Sequence, residues 1–194
     1  MKAMSVTISR EYGSGGTAIA KRLAEVLGIP CYDKEVIAKA AEENNIQMWE
    51  FSMAENNPYS VHYTDFVYAL SDNRELIFKS QSKAMEDLAD KGPAVFLGRC
   101  GNYILRNRPD CIHVFICASY STRIRRAMET YGLKEREAER EIRRVDRLRA
   151  AYYGSNTGQR WGSGETCDLV INTDEIGVEG AVKLIQSYIA LRSD

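Results

Sequence analysis

Residues 9–17 read Ser9-Arg10-Glu11-Tyr12-Gly13-Ser14-Gly15-Gly16-Thr17, a glycine-rich stretch between an apolar run and an amphipathic segment. We call this stretch the glycine loop. The run at 4–8 predicts a buried strand, and apolar residues at helical spacing after the loop predict a helix. Glycines let backbone N–H groups converge on an anion, and the first turn of a helix adds unpaired N–H groups and a positive dipole end. The loop therefore predicts a phosphate site formed by Gly13, Ser14, Gly15, Gly16 and Thr17.

The glycine loop resembles a Walker A segment, Gly-x-x-x-x-Gly-Lys-Ser/Thr, with two departures. Arg10 stands at the first glycine position and Gly16 at the lysine position, whereas Gly15 and Thr17 match. The Thr17 hydroxyl is therefore a candidate ligand for Mg²⁺. Because losing one transition-state stabiliser costs about 2.7–4 kcal/mol, we expect another cation to compensate, either Arg10 or Lys21. A tight glycine turn that merely precedes a helix is the competing interpretation.

Size and charge limit the classes of function. A chain of 194 residues with 44% hydrophobic and 27% charged residues suits one globular α/β domain. The net charge of −1 favours neither nucleic acid nor anionic membranes as partners, and no apolar run approaches the length of a membrane span. The five cysteines form no Cys-x-x-Cys pair, which favours reduced core residues. We expect a cytoplasmic protein.

Apolar strand patterns alternate with helical patterns along the chain. The predicted strands lie at 4–8, 31–32, 94–97, 112–117 and 169–172. The predicted helices lie at 17–27, 33–43, 73–91, 121–131, 134–151 and 178–191. Such alternation predicts a parallel sheet covered on both faces, which binds its ligands beyond the carboxyl ends of the strands. The glycine loop belongs to that edge.

Two regions are candidates for substrate contacts. Residues 44–72 combine polar and aromatic side chains, which predicts either an acceptor-side insertion or a segment that packs on the sheet or on a second copy of the chain. Residues 134–167 combine an arginine-rich helix with a glycine-rich loop at 152–164, which predicts a lid. A static cover or an oligomer contact is the alternative. Helical spacing predicts that Arg143, Asp146 and Arg149 lie within one broad face, although a solvated face with weak ion pairs is equally open.

Taken in order, these parts resemble the cytidylate kinase-like branch of the P-loop nucleoside monophosphate kinases. The segment Leu97-Gly98-Arg99-Cys100-Gly101 is similar to the Asp-Gly-Arg-Asp-x-Gly segment that holds the monophosphate in bacterial cytidylate kinases. Asp146-Arg147-Leu148-Arg149 matches the Asp-x-x-Arg element of their lid region. The resemblance implies a single domain over 1–194 with a P-loop NTPase-like three-layer fold, a five-stranded parallel sheet and a helical lid. It also implies ATP as the donor, Mg²⁺ as the metal, and Arg99 as the residue that binds the acceptor phosphate.

The leading hypothesis is ATP- and Mg²⁺-dependent phosphoryl transfer to a small phosphorylated acceptor, with a nucleoside monophosphate as the favoured class. Leu97 and Cys100 replace both acids of the arginine segment, so cytidylate specificity does not carry over. The backbone amides of residues 13–17 are expected to hold the donor phosphates. Positioning and electrostatics dominate phosphoryl transfer, which gives the catalytic candidates Arg10, Arg143, Asp146 and Arg149. Asp33 is a candidate acceptor ligand, although a helix N-cap explains it equally well.

Two other classes of function stay open. The missing lysine and acids favour a nucleotide-binding sensor that lacks efficient transfer. The pattern Gly13-x-Gly15-x-x-Ala18 also fits a dinucleotide-binding fingerprint, with Asp33 near the distance of a ribose-binding acid. We rank this third hypothesis last because four polar or charged residues separate Ile8 from Gly13, too many for the tight turn of that fingerprint.

Overall fold

The computed structural model describes residues 4–43 and 74–193. Five parallel strands form one sheet in the order β2-β3-β1-β4-β5. Their bounds are β1 Ser5–Arg10, β2 Cys31–Tyr32, β3 Val95–Leu97, β4 Cys111–Cys117 and β5 Leu169–Asn172. Strand β1 is central, with Val6 opposite Val95 of β3 and Ile112 of β4. The predicted five-stranded parallel sheet is confirmed.

Helices follow every strand of the sheet. Their bounds are α1 Gly16–Leu27, α2 Lys34–Glu43, α3 Arg74–Asp90, α4 Gly101–Ile104, α5 Tyr120–Tyr131, α6 Glu135–Thr157 and α7 Gly177–Ser193. The sequence did not predict α4 or the 3-10 turn at Gly164–Thr166, because elements this short show no apolar period. The predicted insertion at 44–72 lies outside the described residues. In the described part of the chain, no helix has both the length and the apolar character needed to cross a membrane.

The core has two layers, one on each face of the sheet. On one face, α1 and α7 bury side chains against β1 and β4, namely Ile19, Leu23, Val182 and Ile185. On the other face, α2, α3 and the segment after α4 cover Phe96 of β3 with Ile37, Met85, Leu88 and Leu105. These two layers and the sheet form the predicted three-layer arrangement.

Helices α5 and α6 form a third cluster that includes the glycine loop. Tyr12 of the loop is buried with Ala127 of α5 and with residues of α6, namely Ala138, Ile142 and Val145. The Tyr12 ring also stacks on Tyr131, with 5.5 Å between ring centroids. An aromatic side chain thus anchors the loop against these two helices.

Helix α6 is longer than the sequence predicted. It continues to Thr157 and ends at Gly158, whose φ of 69° suits a helix C-cap. Asn156 and Thr157 donate side-chain hydrogen bonds to the carbonyls of Tyr152 and Tyr153, one turn earlier. The expectation of a loop that begins at residue 152 is therefore wrong, because these polar side chains are satisfied within the helix.

Candidate active site

The glycine loop connects β1 to α1 at the carboxyl edge of the sheet. Gly13 and Gly15 have φ angles of 78° and 88°, the left-handed region that favours glycine. Helix α1 starts at Gly16 without a side-chain cap at Gly15. Within 4–43 and 74–193, no backbone oxygen accepts a hydrogen bond from the N–H groups of Gly13, Gly15, Gly16 or Thr17. The loop thus presents the donors that a phosphate group requires.

The Arg10 side chain occupies space that is available because residues 16 and 98 are glycines. A Cβ atom built on Gly16 would lie 2.4 Å from the Cβ of Arg10, and one built on Gly98 would lie 2.5 Å from its Nη1. Real Cβ atoms do not approach so closely. The Arg10 side chain therefore passes beside the position of the Walker lysine, and its guanidinium reaches the end of β3.

A cavity of about 70 Å³ lies beyond the carboxyl ends of β1 and β3. Its walls include the cationic side chains of Arg10, Lys34, Arg99 and Arg149. Aromatic side chains complete the wall, namely Tyr152, Tyr153 and Trp161. This composition suits an anion, because cations provide charge complementarity and the aromatic rings exclude water. The sequence predicted Arg10, Arg99 and Arg149 at this edge but missed Lys34 and the aromatic residues.

Arg99 and Cys100 form a strained turn at the cavity. Their φ angles of 54° and 58° are uncommon for residues with a side chain. The buried Arg99 guanidinium lies 5.2 Å from the centroid of the Tyr152 ring. Burial raises the pKa of the Cys100 thiol to about 12, so that thiol is neutral near pH 7. Position 97 carries a buried leucine, so neither position of the two family acids carries a negative charge.

Asp146 and Arg149 bind the backbone of the glycine loop. Asp146 Oδ1 accepts a hydrogen bond from the Tyr12 N–H at 2.8 Å, and Asp146 also pairs with Arg123 of α5. Arg149 Nη1 donates to the Arg10 carbonyl at 2.9 Å. The structure therefore brings two of the predicted catalytic residues to the loop, where they hold main-chain atoms.

Arg143 does not join them. Its exposed guanidinium lies 3.2 Å from Glu139 and 5.8 Å from the Tyr120 ring centroid. Arg143 and Arg149 are ~120° apart around α6, since each residue turns an α-helix by about 100°. Arg143 and Arg149 therefore lie at the two edges of one broad face with Asp146 between them, and a catalytic role for Arg143 stays a prediction.

Two other sequence candidates have local roles in the structure. Asp33 Oδ1 accepts hydrogen bonds from the N–H groups of Glu35 and Val36 at 3.0 and 3.2 Å, the geometry of a helix N-cap. A role for Asp33 in acceptor binding stays a prediction. Lys21 is exposed on α1 and is absent from the described cavity wall, whereas Arg10 is part of it.

The last turns of α6 and the segment after it line one side of the cavity. Tyr153 Oη accepts a hydrogen bond from Asn102 Nδ2 at 2.9 Å and donates one to Gln159 Oε1 at 3.0 Å. Trp161 meets Phe115 edge to face, with 5.3 Å between ring centroids. These contacts tie residues 153–161 to β4 and α4. In this conformation residues 153–161 are therefore packed against the rest of the domain beside the cavity.

Two arginines of α5 also contact the glycine loop, and the sequence analysis did not select them. Arg123 Nε donates to the Tyr12 carbonyl at 2.7 Å. Arg126 Nη1 donates to the Ser14 carbonyl at 3.0 Å, and Thr173 Oγ1 donates to the same oxygen at 2.8 Å. The spacing of three residues places both arginines on one side of the helix that follows β4. That spacing was the available signal.

The residues present suit a metal that arrives with a nucleotide. Among the described residues, no group of three or more His, Cys, Asp or Glu side chains could hold a metal ion. Mg²⁺ in such sites keeps several waters and binds substrate phosphates with few protein ligands. The exposed Thr17 hydroxyl in the first turn of α1 can serve as one of them.

The fold is shared with several solved kinase structures. A shikimate kinase from Bacteroides thetaiotaomicron superposes with a TM-score of 0.56 at 15% identity, over 96% of this chain and 98% of that one. A gluconokinase from Sinorhizobium meliloti gives 0.55 at 14% identity, over 98% and 93%. An uncharacterized protein from Eubacterium ventriosum gives 0.77 at 28% identity, over 96% and 98%. The fold is that of the P-loop kinases.

Sequence comparison assigns the family. Residues 5–175 match the model of the cytidylate kinase-like family, and the chain belongs to that family. A cytidylate kinase from Pyrobaculum aerophilum is 28% identical over 185 residues, which are 94% of this chain and 91% of the relative. A cytidylate kinase from Ignicoccus hospitalis is 27% identical over 186 residues, with coverage of 95% and 98%. Phosphoryl transfer of the nucleotide-kinase type is the activity that this membership supports.

Proposed function

We propose that this protein transfers the γ-phosphoryl group of ATP to a small phosphorylated acceptor, with a nucleoside monophosphate as the favoured class. One observation carries the proposal: the Arg10 side chain leaves the glycine loop and ends in the cavity that Arg99 and Arg149 also line. Donor and acceptor phosphates repel each other, so a cation between them lowers the barrier to their approach. The names of the cytidylate kinase relatives support the acceptor class.

The donor phosphates are proposed to bind the N–H groups of residues 13–17. Mg²⁺ bound with the nucleotide would supply positive charge that neutralises part of the phosphate charge. The Thr17 hydroxyl would be the protein ligand of that ion. The Ser14 hydroxyl and the Ser14 N–H both donate to the Glu11 carbonyl, at 2.8 and 3.4 Å, so the Ser14 N–H would reach a phosphate only by sharing or breaking the longer bond.

The acceptor phosphate is proposed to bind Arg99. A guanidinium can donate two parallel hydrogen bonds to a phosphate, and the Tyr152 ring beneath it fixes the plane of the fork. Arg10 and Arg149 would then face the transferring group from the side of the glycine loop. Such an arrangement separates acceptor binding from donor binding. We also propose a cytoplasmic location, where ATP is abundant.

An acceptor screen tests the activity. The full-length protein is incubated with ATP and Mg²⁺ together with CMP, UMP, AMP, GMP or a panel of non-nucleotide phosphates, and ADP formation is followed. We expect at least one nucleoside monophosphate to raise ADP formation well above the rate with ATP alone. Gly15→Val is the matched inactive variant, because a β-branched residue is strained at the φ of 88° that Gly15 adopts, so the loop must change its conformation. It should abolish ATP-induced thermal stabilisation while circular dichroism shows an intact fold. Unchanged ATP affinity would place the donor site elsewhere.

A second experiment tests the acceptor role of Arg99. Arg99→Ala should weaken acceptor binding by more than it weakens ATP binding, measured as separate dissociation constants. Arg106→Ala is the control, since Arg106 is an exposed arginine that lies over the Tyr103 ring nearby. An equal loss of both affinities in Arg99→Ala would assign this residue to the donor site or to the fold.

A nucleotide sensor is the second candidate function. It is favoured by the buried Leu97 and the neutral Cys100 thiol, which leave the end of β3 without the acids of the family pattern. A sensor would bind ATP without forming ADP with any acceptor in the screen. Turnover with one acceptor would reject it.

A further inference from the structure

Two carbonyl groups of the glycine loop are held by arginines from α5. Arg123 Nε donates to the Tyr12 oxygen at 2.7 Å, and Arg126 Nη1 donates to the Ser14 oxygen at 3.0 Å. The Ser14 oxygen accepts a second hydrogen bond from Thr173 Oγ1 at 2.8 Å. Arg126 also donates to Thr173, from Nη1 to Oγ1 at 2.7 Å and from Nη2 to the carbonyl at 2.9 Å. The two arginines and Thr173 therefore form one network behind the loop.

The direction of each peptide unit follows from these contacts. In a trans peptide, the C=O of one residue and the N–H of the next point in opposite directions. The described chain has no cis peptide bonds. A Ser14 carbonyl that is held toward α5 and Thr173 therefore directs the Gly15 N–H to the opposite side. The Tyr12 carbonyl, held by Arg123, directs the Gly13 N–H in the same manner.

We propose that Arg123 and Arg126 are positioning residues that orient the peptide units of the glycine loop, so that the N–H groups of Gly13 and Gly15 face the donor phosphates. The inference rests on the proposed donor site. Close packing supports it, because a Cβ on Gly13 would lie 2.7 Å from the Arg123 carbonyl oxygen. The loop thus lies directly on the turn of α5 that carries Arg123. We call the hydrogen bonds that Arg123, Arg126 and Thr173 donate to the Tyr12 and Ser14 carbonyls the clamp. Preorganised donors of this kind bind an anion without a cost for reorienting them.

The clamp is best tested at Ser14, where two donors hold one oxygen. Thr173→Val is nearly isosteric and removes one donor, and Arg126→Gln removes the other. Each single variant should weaken binding of tripolyphosphate, measured by calorimetry, by about threefold, because the remaining donor still holds the carbonyl. The double variant should weaken it by roughly thirtyfold, more than the product of the single effects, since the peptide can then rotate. Arg125→Gln is the control, an exposed change of the same charge on the same helix.

The outcomes separate three explanations. If Arg126 acts by its charge on the phosphate, Arg126→Lys restores affinity and Thr173→Val has no effect, which overturns the clamp. A double variant that binds like wild type also overturns it. If the wild-type protein binds neither tripolyphosphate nor ATP, the donor site itself fails, whatever the variants do.

A second readout does not depend on the stability of the double variant. In the wild-type protein, the amide proton of Gly15 should shift downfield in the NMR spectrum when tripolyphosphate binds, because it donates a charge-assisted hydrogen bond. Arg126→Gln should reduce part of that shift at saturating tripolyphosphate, because Thr173 alone holds the Ser14 carbonyl less firmly, and Arg125→Gln should leave it unchanged. An undiminished shift in Arg126→Gln would contradict the clamp.

Discussion

Arg10 and Gly16, the two departures from the Walker A pattern, depend on each other. In a Walker A segment the cationic residue is the lysine in the first turn of the helix, whereas here the cationic residue is Arg10, at the end of β1. The side chain then needs space beside α1, and glycine at position 16 provides it, since a Cβ there would lie 2.4 Å from the Cβ of Arg10. The sequence showed both departures, but only the contact shows that each requires the other.

Restoring the lysine therefore requires two substitutions. Arg10→Gly should lower turnover by about a hundredfold, the usual scale for the loss of one electrostatic stabiliser. Gly16→Lys alone should destabilise the protein, because its Cβ collides with Arg10. The double variant Arg10→Gly/Gly16→Lys should recover much of the lost turnover, and alanine at position 10 should not substitute for glycine, since its Cβ remains in the way.

ADP formation and thermal unfolding measure these effects. Lys21→Ala is the control and should retain full turnover. If Arg10→Gly keeps full activity while Lys21→Ala loses it, Lys21 replaces the Walker lysine.

Residues that belong to a local motif could be predicted, and residues that meet only through the fold could not. The pattern around Arg99 and the glycine loop was visible in consecutive positions. Arg126 and Thr173 are 47 residues apart and meet behind Ser14, which lies still further away along the chain. No local pattern encodes such a meeting.

Helix α6 was expected to present its cations to a substrate, and Arg149 of this helix does line the cavity. Asp146 and Arg149 face inward and bind main-chain atoms of the glycine loop. Two exposed arginines pair with glutamates on the same helix: Arg143 with Glu139 at 3.2 Å and Arg144 with Glu141 at 2.7 Å. The helical period predicted one broad face for Arg143, Asp146 and Arg149, but it did not predict that Arg143, at one edge of that face, pairs with Glu139. The helix is therefore a structural support of the loop.

Removing the inward carboxylate should cost stability. Within residues 4–43 and 74–193, Asp146→Ala leaves Glu11, at 3.3 Å, as the one remaining ion-pair partner of the buried Arg123 guanidinium. Breaking a buried ion pair costs about 3–5 kcal/mol. Because Asp146 is partly exposed, its removal should lower the free energy of unfolding by less, about 2–3 kcal/mol. Arg143→Ala should change it by less than about 0.5 kcal/mol. Urea unfolding measures both, and equal effects would contradict the structural role of Asp146.

At the scale of the whole molecule, the alternation of strands and helices predicted the sheet correctly. Parallel strands buried on both faces give continuous apolar runs, and such runs are easy to detect. The boundary of α6 was missed because polar residues with internal hydrogen bonds look like a loop. The sequence patterns also did not predict the polar contacts of His113 in β4. His113 Nδ1 lies 2.9 Å from Thr7 Oγ1 of β1, and the His113 backbone N–H donates to Asp168.

His113 should make the stability of the domain depend on pH. Burial, with a smaller contribution from Arg192, lowers the pKa of His113 below its ordinary value of 6.5, and Asp168 opposes the shift. Below about pH 6.5 the unfolded chain therefore binds a proton more readily than the folded one. The free energy of unfolding thus decreases as the pH decreases, until the pH lies below the pKa of His113 in the folded protein.

His113→Asn keeps an acceptor for Thr7 and removes the titration. It should be less stable than wild type at about pH 7.5, with a smaller difference at about pH 5.5, as measured by urea midpoints. A difference that stays constant or grows on acidification would contradict the role of His113.

The hydrogen bond between Ser14 and Thr173 spans 159 residues, so the order of synthesis matters for the loop that it completes. At translation speeds of about 5–20 residues per second, the ribosome adds Thr173 roughly 8–30 s after Ser14. During that interval the emerging chain carries the glycine loop without one of the two donors that hold the Ser14 carbonyl, and Arg126 is the other. The full set of hydrogen bonds to that oxygen therefore forms only after β5 has been synthesised and has docked against β4.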